Sequence, residues 1–283
     1  MRPTSPLISP EELLARLGDL SIRICDLRWW LVEPGRGRRA YEAAHIPGAV
    51  FIDVESDVVG REGPGRHPLP DPASFARRMQ ELGIGDETEV VAYDDSGGIV
   101  AARLWWMLDD LGHPAARVLD GGFSAWLAID GPVTSEVSQP APAGTLTLRP
   151  AWSRVIDRDS LTRRLLAGEV TVLDARAPER YRGDIEPVDP VPGHIPGAVS
   201  RPTSGSLAPG GRFLEATALR GRFDDLPGEL VTQCGSGINA CHTALAMRVA
   251  GQPDPLLYPG SYSDWSRAGM PIATGDEPGR YEG

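Results

Sequence analysis

The hexapeptide His45-Ile46-Pro47-Gly48-Ala49-Val50 returns letter for letter as His194-Ile195-Pro196-Gly197-Ala198-Val199. Six identical letters in order mark an internal duplication, and the rest of the chain is read outward from them. Upstream of each copy an apolar run ends in Asp-x-Arg: Ile22-Arg23-Ile24-Cys25-Asp26-Leu27-Arg28 and Val170-Thr171-Val172-Leu173-Asp174-Ala175-Arg176. Downstream lie Glu89-Val90-Val91-Ala92-Tyr93 and Glu229-Leu230-Val231-Thr232-Gln233, each a buried-strand pattern running into a Gly/Ser turn and then a helical pattern. Each half closes on a glycine turn and a tryptophan, Asp120-Gly121-Gly122 with Trp126 and Tyr258-Pro259-Gly260 with Trp265.

The 283 residues suit two domains, each large enough to bury its own core. The stretch Glu136-Val137-Ser138-Gln139-Pro140-Ala141-Pro142-Ala143-Gly144 has the composition of a linker. It sets the boundary near residue 140, with an N-terminal domain over 1–140 and a C-terminal domain over 150–283. Helical patterns at Pro10–Leu17 and Asp159–Leu166 precede the first strand of each half. Alternating helices and short apolar strands predict an α/β fold, each domain a mostly parallel sheet flanked by helices, with functional loops beyond the strand C-termini.

Twenty-eight basic residues against 39 acidic ones give a net charge of −11, which disfavours nucleic acid and anionic membrane surfaces as partners. Every basic residue is arginine. Without lysine there is no Schiff-base chemistry and no P-loop lysine, so anions must be held by arginine, backbone N–H groups and helix ends. Three cysteines, Cys25, Cys234 and Cys241, are too few for a secreted disulfide framework. With no apolar signal-peptide core near Met1, a reducing cytoplasmic location is the expectation.

Cys234 stands between a strand and a helix in Cys234-Gly235-Ser236-Gly237-Ile238-Asn239-Ala240. The glycines let successive N–H groups converge on one point, and the helix dipole adds partial positive charge there. A thiolate is the species such a cradle stabilises, which makes the sulfur a nucleophile at neutral pH. The matching turn of the first half, Asp94-Asp95-Ser96-Gly97-Gly98-Ile99-Val100-Ala101, puts Asp94 where the cysteine would stand. One half has a nucleophile and the other lacks it.

With the paired His-Ile-Pro-Gly-Ala motifs, the Asp-x-Arg strands and one cysteine loop in the second half, the chain resembles the tandem-domain rhodanese family of sulfurtransferases over nearly its full length. The resemblance implies two tandem rhodanese-like domains, the first inactive, and sulfur transfer through a persulfide on Cys234. Within the family, thiosulfate enzymes resemble Cys-Arg-Lys-Gly and mercaptopyruvate enzymes Cys-Gly-Ser-Gly; here it is Cys-Gly-Ser-Gly. The loop also lacks the cations a doubly charged thiosulfate would favour, so 3-mercaptopyruvate is the expected donor. A thiol such as thioredoxin, or cyanide in the test tube, is the expected acceptor.

The resemblance further implies that Arg176 and Arg180 bind the substrate's carboxylate and ketone, that Gly235, Gly237, Ile238 and Asn239 line the substrate, and that Asp53 and His67 form a relay with Ser236. The loop departs from the family's usual Gly-Val-Thr-Ala in continuing Gly237-Ile238-Asn239-Ala240. Cys25 and Cys241 read as buried packing, and His45 and His194, present in both copies, as turn-capping residues. No zinc or calcium motif is present and no cofactor is expected. The rival readings are a thiosulfate sulfurtransferase and a non-catalytic sulfur carrier; a cysteine phosphatase would need Cys-x5-Arg, whereas position 240 is Ala.

Overall fold

The computed structural model describes residues 5–139, 142–143, 145–224 and 226–283. Linker residues 140, 141 and 144, and with them the boundary expected near 140, lie outside the described residues. The chain forms two compact units. The first comprises 1–60, 70–153 and 207–213, and the second 61–69, 154–206 and 214–283. Segment 61–69, which lies in the first half of the sequence, thus folds as part of the second unit.

The first unit runs β1 (Leu7–Ile8), α1 (Pro10–Ala15), β2 (Ile22–Asp26), α2 (Arg36–Ala43), β3 (Val50–Phe51), α3 (Val54–Asp57), α4 (Pro72–Glu81), β4 (Glu89–Tyr93), α5 (Ala101–Asp110), β5 (Ala116–Leu119) and α6 (Gly122–Ala128). Its five strands form a parallel sheet in the order β1-β5-β4-β2-β3. The second unit runs α7 (Arg158–Leu166), β6 (Val170–Asp174), α8 (Pro178–Arg182), β7 (Val199–Ser200), a 3-10 turn (Thr203–Ser206), α9 (Ala216–Arg220), β8 (Glu229–Gln233), α10 (Ile238–Val249), β9 (Leu256–Leu257) and α11 (Ser261–Arg267). Its parallel sheet has the order β7-β6-β8-β9.

The strands read from the sequence are present: β2 and β6 end on the aspartates of Asp-x-Arg, and β4 and β8 on Tyr93 and Gln233. Their registers match, Asp26 opposite Tyr93 and Asp174 opposite Gln233. Both cores are built alike, with Ile22, Ile24, Val91 and Trp126 in the first and Val170, Val172, Val231 and Trp265 in the second. In each, the closing tryptophan donates its indole N–H to a carbonyl six residues on, Trp126 to Pro132 at 2.9 Å and Trp265 to Pro271 at 2.7 Å, which satisfies the one polar atom of a large buried ring.

The repeated histidines are structural in both copies. His45 stacks on Tyr41 and His194 on Tyr181, at centroid distances of 3.9 and 3.8 Å. Their Nδ1 atoms lie 2.6 and 2.8 Å from the carbonyl oxygens of those tyrosines, while each Tyr hydroxyl donates into the following turn, to Ala49 and Ala198. Histidine here locks the turn that starts β3 or β7.

Candidate active site

At the C-terminal end of β8, Cys234 Sγ accepts hydrogen bonds from the backbone N–H groups of Ser236 at 3.4 Å and Gly237 at 3.1 Å. The sulfur can receive both because Gly237 turns the chain at φ +87°, a conformation side-chain-bearing residues rarely adopt, and begins α10 in the same step. A Cβ there would also lie 2.7 Å from the carbonyl oxygen of Pro259. The start of α11 anchors the loop from below. Cys234 N–H donates to Ser261 Oγ (3.2 Å), and the N–H groups of Tyr262 and Ser263 donate to the carbonyls of Cys234 and Gly235, both at 3.0 Å. Cys234 is 2% exposed, so the amides facing its sulfur meet little competing water.

The first unit shows what this cradle holds when no cysteine is present. The Asp94 carboxylate accepts from the N–H groups of Ser96 (2.8 Å) and Gly98 (2.9 Å) through one oxygen, and from Val100 (2.6 Å) and Ala101 (2.9 Å) through the other. Its carbonyl accepts from Phe123 N–H, as that of Cys234 does from Tyr262. The turn converges backbone N–H groups in both units, on the chain's own carboxylate in one and on a sulfur in the other.

Around Cys234 the second unit gathers polar groups from three segments. His67 Nδ1 lies 2.7 Å from Ser236 Oγ, so the two residues named for a relay are in contact, both buried. Segment 61–69 brings His67 there, tied down by Arg66 N–H donating to Ser263 Oγ at 3.0 Å. It also brings Arg66, which the sequence reading passed over although it adjoins His67. The Arg66 Nη1 pairs with Asp189, whose other oxygen lies 3.3 Å from Arg180 Nη2. Arg180 is further gripped by Glu186, at 2.6 Å through Nη2 and 3.1 Å through Nε.

These ties leave Arg66 Nη2 and Arg180 Nη1 facing the loop. A Cβ built on Gly235 would lie 2.9 Å from Arg66 Nη2 and 3.4 Å from Arg180 Nη1, so glycine next to the cysteine makes room for two guanidinium groups. Arg66 Nε is buried without a hydrogen-bond partner. Burial pushes the Asp189 carboxyl up from its ordinary range, opposed by Arg66. Burial pushes the Glu186 carboxyl up as well, but hydrogen bonds from Arg180 and from the N–H groups of Asp189 and Val188 outweigh it and hold that group below the usual carboxylate range.

The Arg176 guanidinium is held on several sides: Nε and Nη2 grip Asp174 at 2.7 to 3.1 Å, Nη2 also donates to Gly193 O at 2.7 Å, Nη1 lies 3.4 Å from Glu186 Oε2, and the group lies 3.8 Å from the centre of the Tyr262 ring. Its side chain is 1% exposed. Arg28 repeats this in the unit whose loop carries Asp94 in place of a cysteine, gripping Asp26 and donating to Ala44 O at 2.6 Å, beneath Phe123 at 4.2 Å. The contacts that recur, to the strand-end aspartate and to the carbonyl before the His-Ile-Pro-Gly turn, belong to the fold, while the contact of Arg176 with Glu186 is particular to the second unit. The Asp-x-Arg motif is a buried ion pair that joins a strand end to the residue before each His-Ile-Pro-Gly turn.

Asp53 belongs to the first unit, where it is the N-cap of α3 and accepts from Glu55 N–H at 3.1 Å. The buried carboxylate of that segment is Asp57, bound by Arg78 Nε at 2.9 Å. Ile238 is buried at the start of α10, and Asn239 beside it is half-buried. Cys241 Sγ donates to Gly237 O at 3.3 Å inside α10. Cys25 is fully buried, and burial pushes its thiol up to about 12. Among the described residues no group of His, Cys, Asp and Glu is arranged to hold a metal ion, and no helix is long and apolar enough to cross a membrane.

The Rhodanese-like domain matches this chain twice, over residues 9–129 and 157–268. A Pseudomonas aeruginosa protein named "Probable 3-mercaptopyruvate sulfurtransferase" is 42% identical, covering 96% of this chain and 99% of its own. A Mycobacterium tuberculosis protein provisionally named thiosulfate sulfurtransferase SseB is also 42% identical, covering 92% and 93%. Among solved structures, 3-mercaptopyruvate sulfurtransferase from Leishmania major superposes with a TM-score of 0.83 at 30% identity, covering 94% of this chain and 75% of that one.

Proposed function

Because this chain belongs to the rhodanese family, we propose that it is a sulfurtransferase that takes sulfane sulfur from 3-mercaptopyruvate onto Cys234 and passes it to a thiol acceptor. The observation that carries this reading is the Cys234 sulfur in an amide cradle whose twin binds a carboxylate, with two guanidinium groups facing the adjacent glycine.

The Cys234 thiolate attacks the donor's sulfur. The donor's C–S bond breaks and its electron pair goes to carbon, giving the enolate of pyruvate, which is then protonated; the new S–S bond leaves Cys234 as a persulfide. Arg180 and Arg66 hold the carboxylate and ketone oxygen, where the enolate's charge accumulates. The loop residues Gly235, Gly237, Ile238 and Asn239 enclose the transferred sulfur. Asp94 suggests which amides receive it. Its second oxygen binds the N–H groups of Val100 and Ala101, the second and third residues after the left-handed Gly98, which correspond to Asn239 and Ala240 after Gly237 in the cysteine loop. Ser236 and His67 relay the proton, and the resemblance extends that relay to Asp53. In the second half-reaction an acceptor thiol such as that of thioredoxin, or cyanide in vitro, attacks the outer sulfur and releases the Cys234 thiolate. The reading places the protein in the cytoplasm, where such thiols are reduced.

Thiosulfate is the second donor to weigh, because the mycobacterial relative carries its name and because two arginines face the loop. Intact-mass measurement after incubation with either donor separates the two. A gain of one sulfur on the native chain with mercaptopyruvate, matched by pyruvate release and lost in Cys234→Ser, is the expected result. A gain with thiosulfate alone overturns the donor, and no gain with either overturns the activity.

A further inference from the structure

The arginines beside the cysteine are not a bare pair of positive charges. The Asp189 side chain is 0% exposed and spans them, one oxygen on Arg66 and the other on Arg180, although the arginines come from segments far apart in sequence. Glu186 holds Arg180 from another side through a carboxylate that is 2% exposed. The formal charges of Arg66, Arg180, Glu186 and Asp189 therefore cancel, while three donor atoms, Arg66 Nε and Nη2 and Arg180 Nη1, stay clear of both acids. Hydrogen-bonding capacity for an anion is kept and excess charge is not.

We propose that Asp189 is a positioning residue that sets donor selectivity. By bridging Arg66 and Arg180 it aims their remaining N–H groups at one point above Gly235, and by neutralising one of them it makes the site prefer a single carboxylate over a doubly charged anion such as thiosulfate. The inference rests on the proposed reaction and adds the reason a site with two arginines selects the monoanion. The physics is a charge difference. Any anion gains the directional hydrogen bonds, but the second charge of a dianion gains only from net positive potential, which the buried Asp189 carboxylate removes.

The test reads anion selectivity apart from turnover. In the Cys234→Ser chain, calorimetry with pyruvate and with sulfate, one charge against two, gives an affinity ratio; pyruvate is expected to bind more tightly. Adding Asp189→Asn should move the ratio toward sulfate by on the order of tenfold or more, the scale of one unit charge acting over several Å at an effective dielectric of about 20. Arg66→Gln, which removes a positive charge from the same cluster, should move it the opposite way, so the proposal stays testable if Asp189→Asn folds poorly. In the chain with Cys234 intact, Asp189→Asn should raise kcat/KM for thiosulfate relative to mercaptopyruvate by a similar factor. An unmoved ratio in either variant, or equal weakening of both anions, overturns the role of Asp189. Failure of the native chain to form persulfide overturns the proposed reaction instead, and the affinity ratio still decides on Asp189.

Discussion

Asp94 occupies in the first unit the place Cys234 occupies in the second: each follows the last residue of a central strand, and each accepts hydrogen bonds from the N–H groups of the turn beyond it. The carboxylate takes four such bonds and is wholly buried. Replacing it by alanine strands those amides without a partner. Asp94→Ala should therefore destabilise the protein by about 3 kcal/mol, given about 1 kcal/mol or more for each buried donor left unsatisfied. Urea unfolding checks this, and a cost under about 1 kcal/mol would show that water readily replaces the carboxylate.

Arg176 and Arg180 should part company on mutation. Arg176→Ala leaves Asp174 as a buried unpaired charge and should cost about 3–5 kcal/mol of stability. Arg180→Lys keeps a cation for Glu186 and Asp189 but loses the Nη1 that faces Gly235. It should raise KM for mercaptopyruvate about tenfold, the value of a charge-assisted hydrogen bond, while thermal unfolding moves little. Steady-state kinetics and calorimetry on both variants check the pair; a KM effect at Arg176 with unchanged stability would return that residue to the substrate.

Ser236→Ala removes the hydroxyl that faces His67 Nδ1 at 2.7 Å. Because the sulfur's own amide contacts come from the backbone, persulfide should still form, but kcat should fall roughly 10- to 100-fold, at the lower end of what a positioned proton relay contributes. Rapid-quench mass measurement separates the slowed step from any loss of the nucleophile. An unchanged kcat would make the contact purely structural.

Cys25 offers a check in alkali. Burial pushes its thiol from 9.0 to about 12, so the folded protein holds a proton that the unfolded chain gives up as pH rises through the interval between those values. Bound protons are then fewer in the unfolded state, and stability falls with rising pH across that window. Cys25→Ala should make the alkaline limb of the stability curve shallower. Equal slopes in the two proteins would mean that Cys25 ionises as readily folded as unfolded.

The duplication, the parallel strands and the cysteine loop were legible because each rests on local pattern, such as a repeated hexapeptide or a strand ending on the residue before Cys234. The contact between His67 and Ser236 was legible from the resemblance alone, since 169 residues separate them. The scaffold contacts of Arg176 also had a clue in the sequence: Arg28 stands in the same motif of the first half, and both arginines pair with the motif's aspartate. Arg66 and Asp189 were missed for a different reason. Neither lies in a repeated motif, and their meaning arises only when segment 61–69 folds against the second unit's loop, which no periodicity encodes. Asp53 was named from the resemblance, as the acid of the relay, and its carboxylate caps α3.

The placement of segment 61–69 also bears on how such a protein can evolve. A duplicated gene begins as two self-sufficient modules, and either copy can at first be lost, shuffled or fused elsewhere. Here Arg66 and His67, encoded in the first copy, complete the site of the second. A fragment starting at residue 150 would carry the nucleophile without its histidine or its second arginine. A first copy that supplies such neighbours cannot be deleted without stripping them from the second unit, and recombination at the linker would part Cys234 from both.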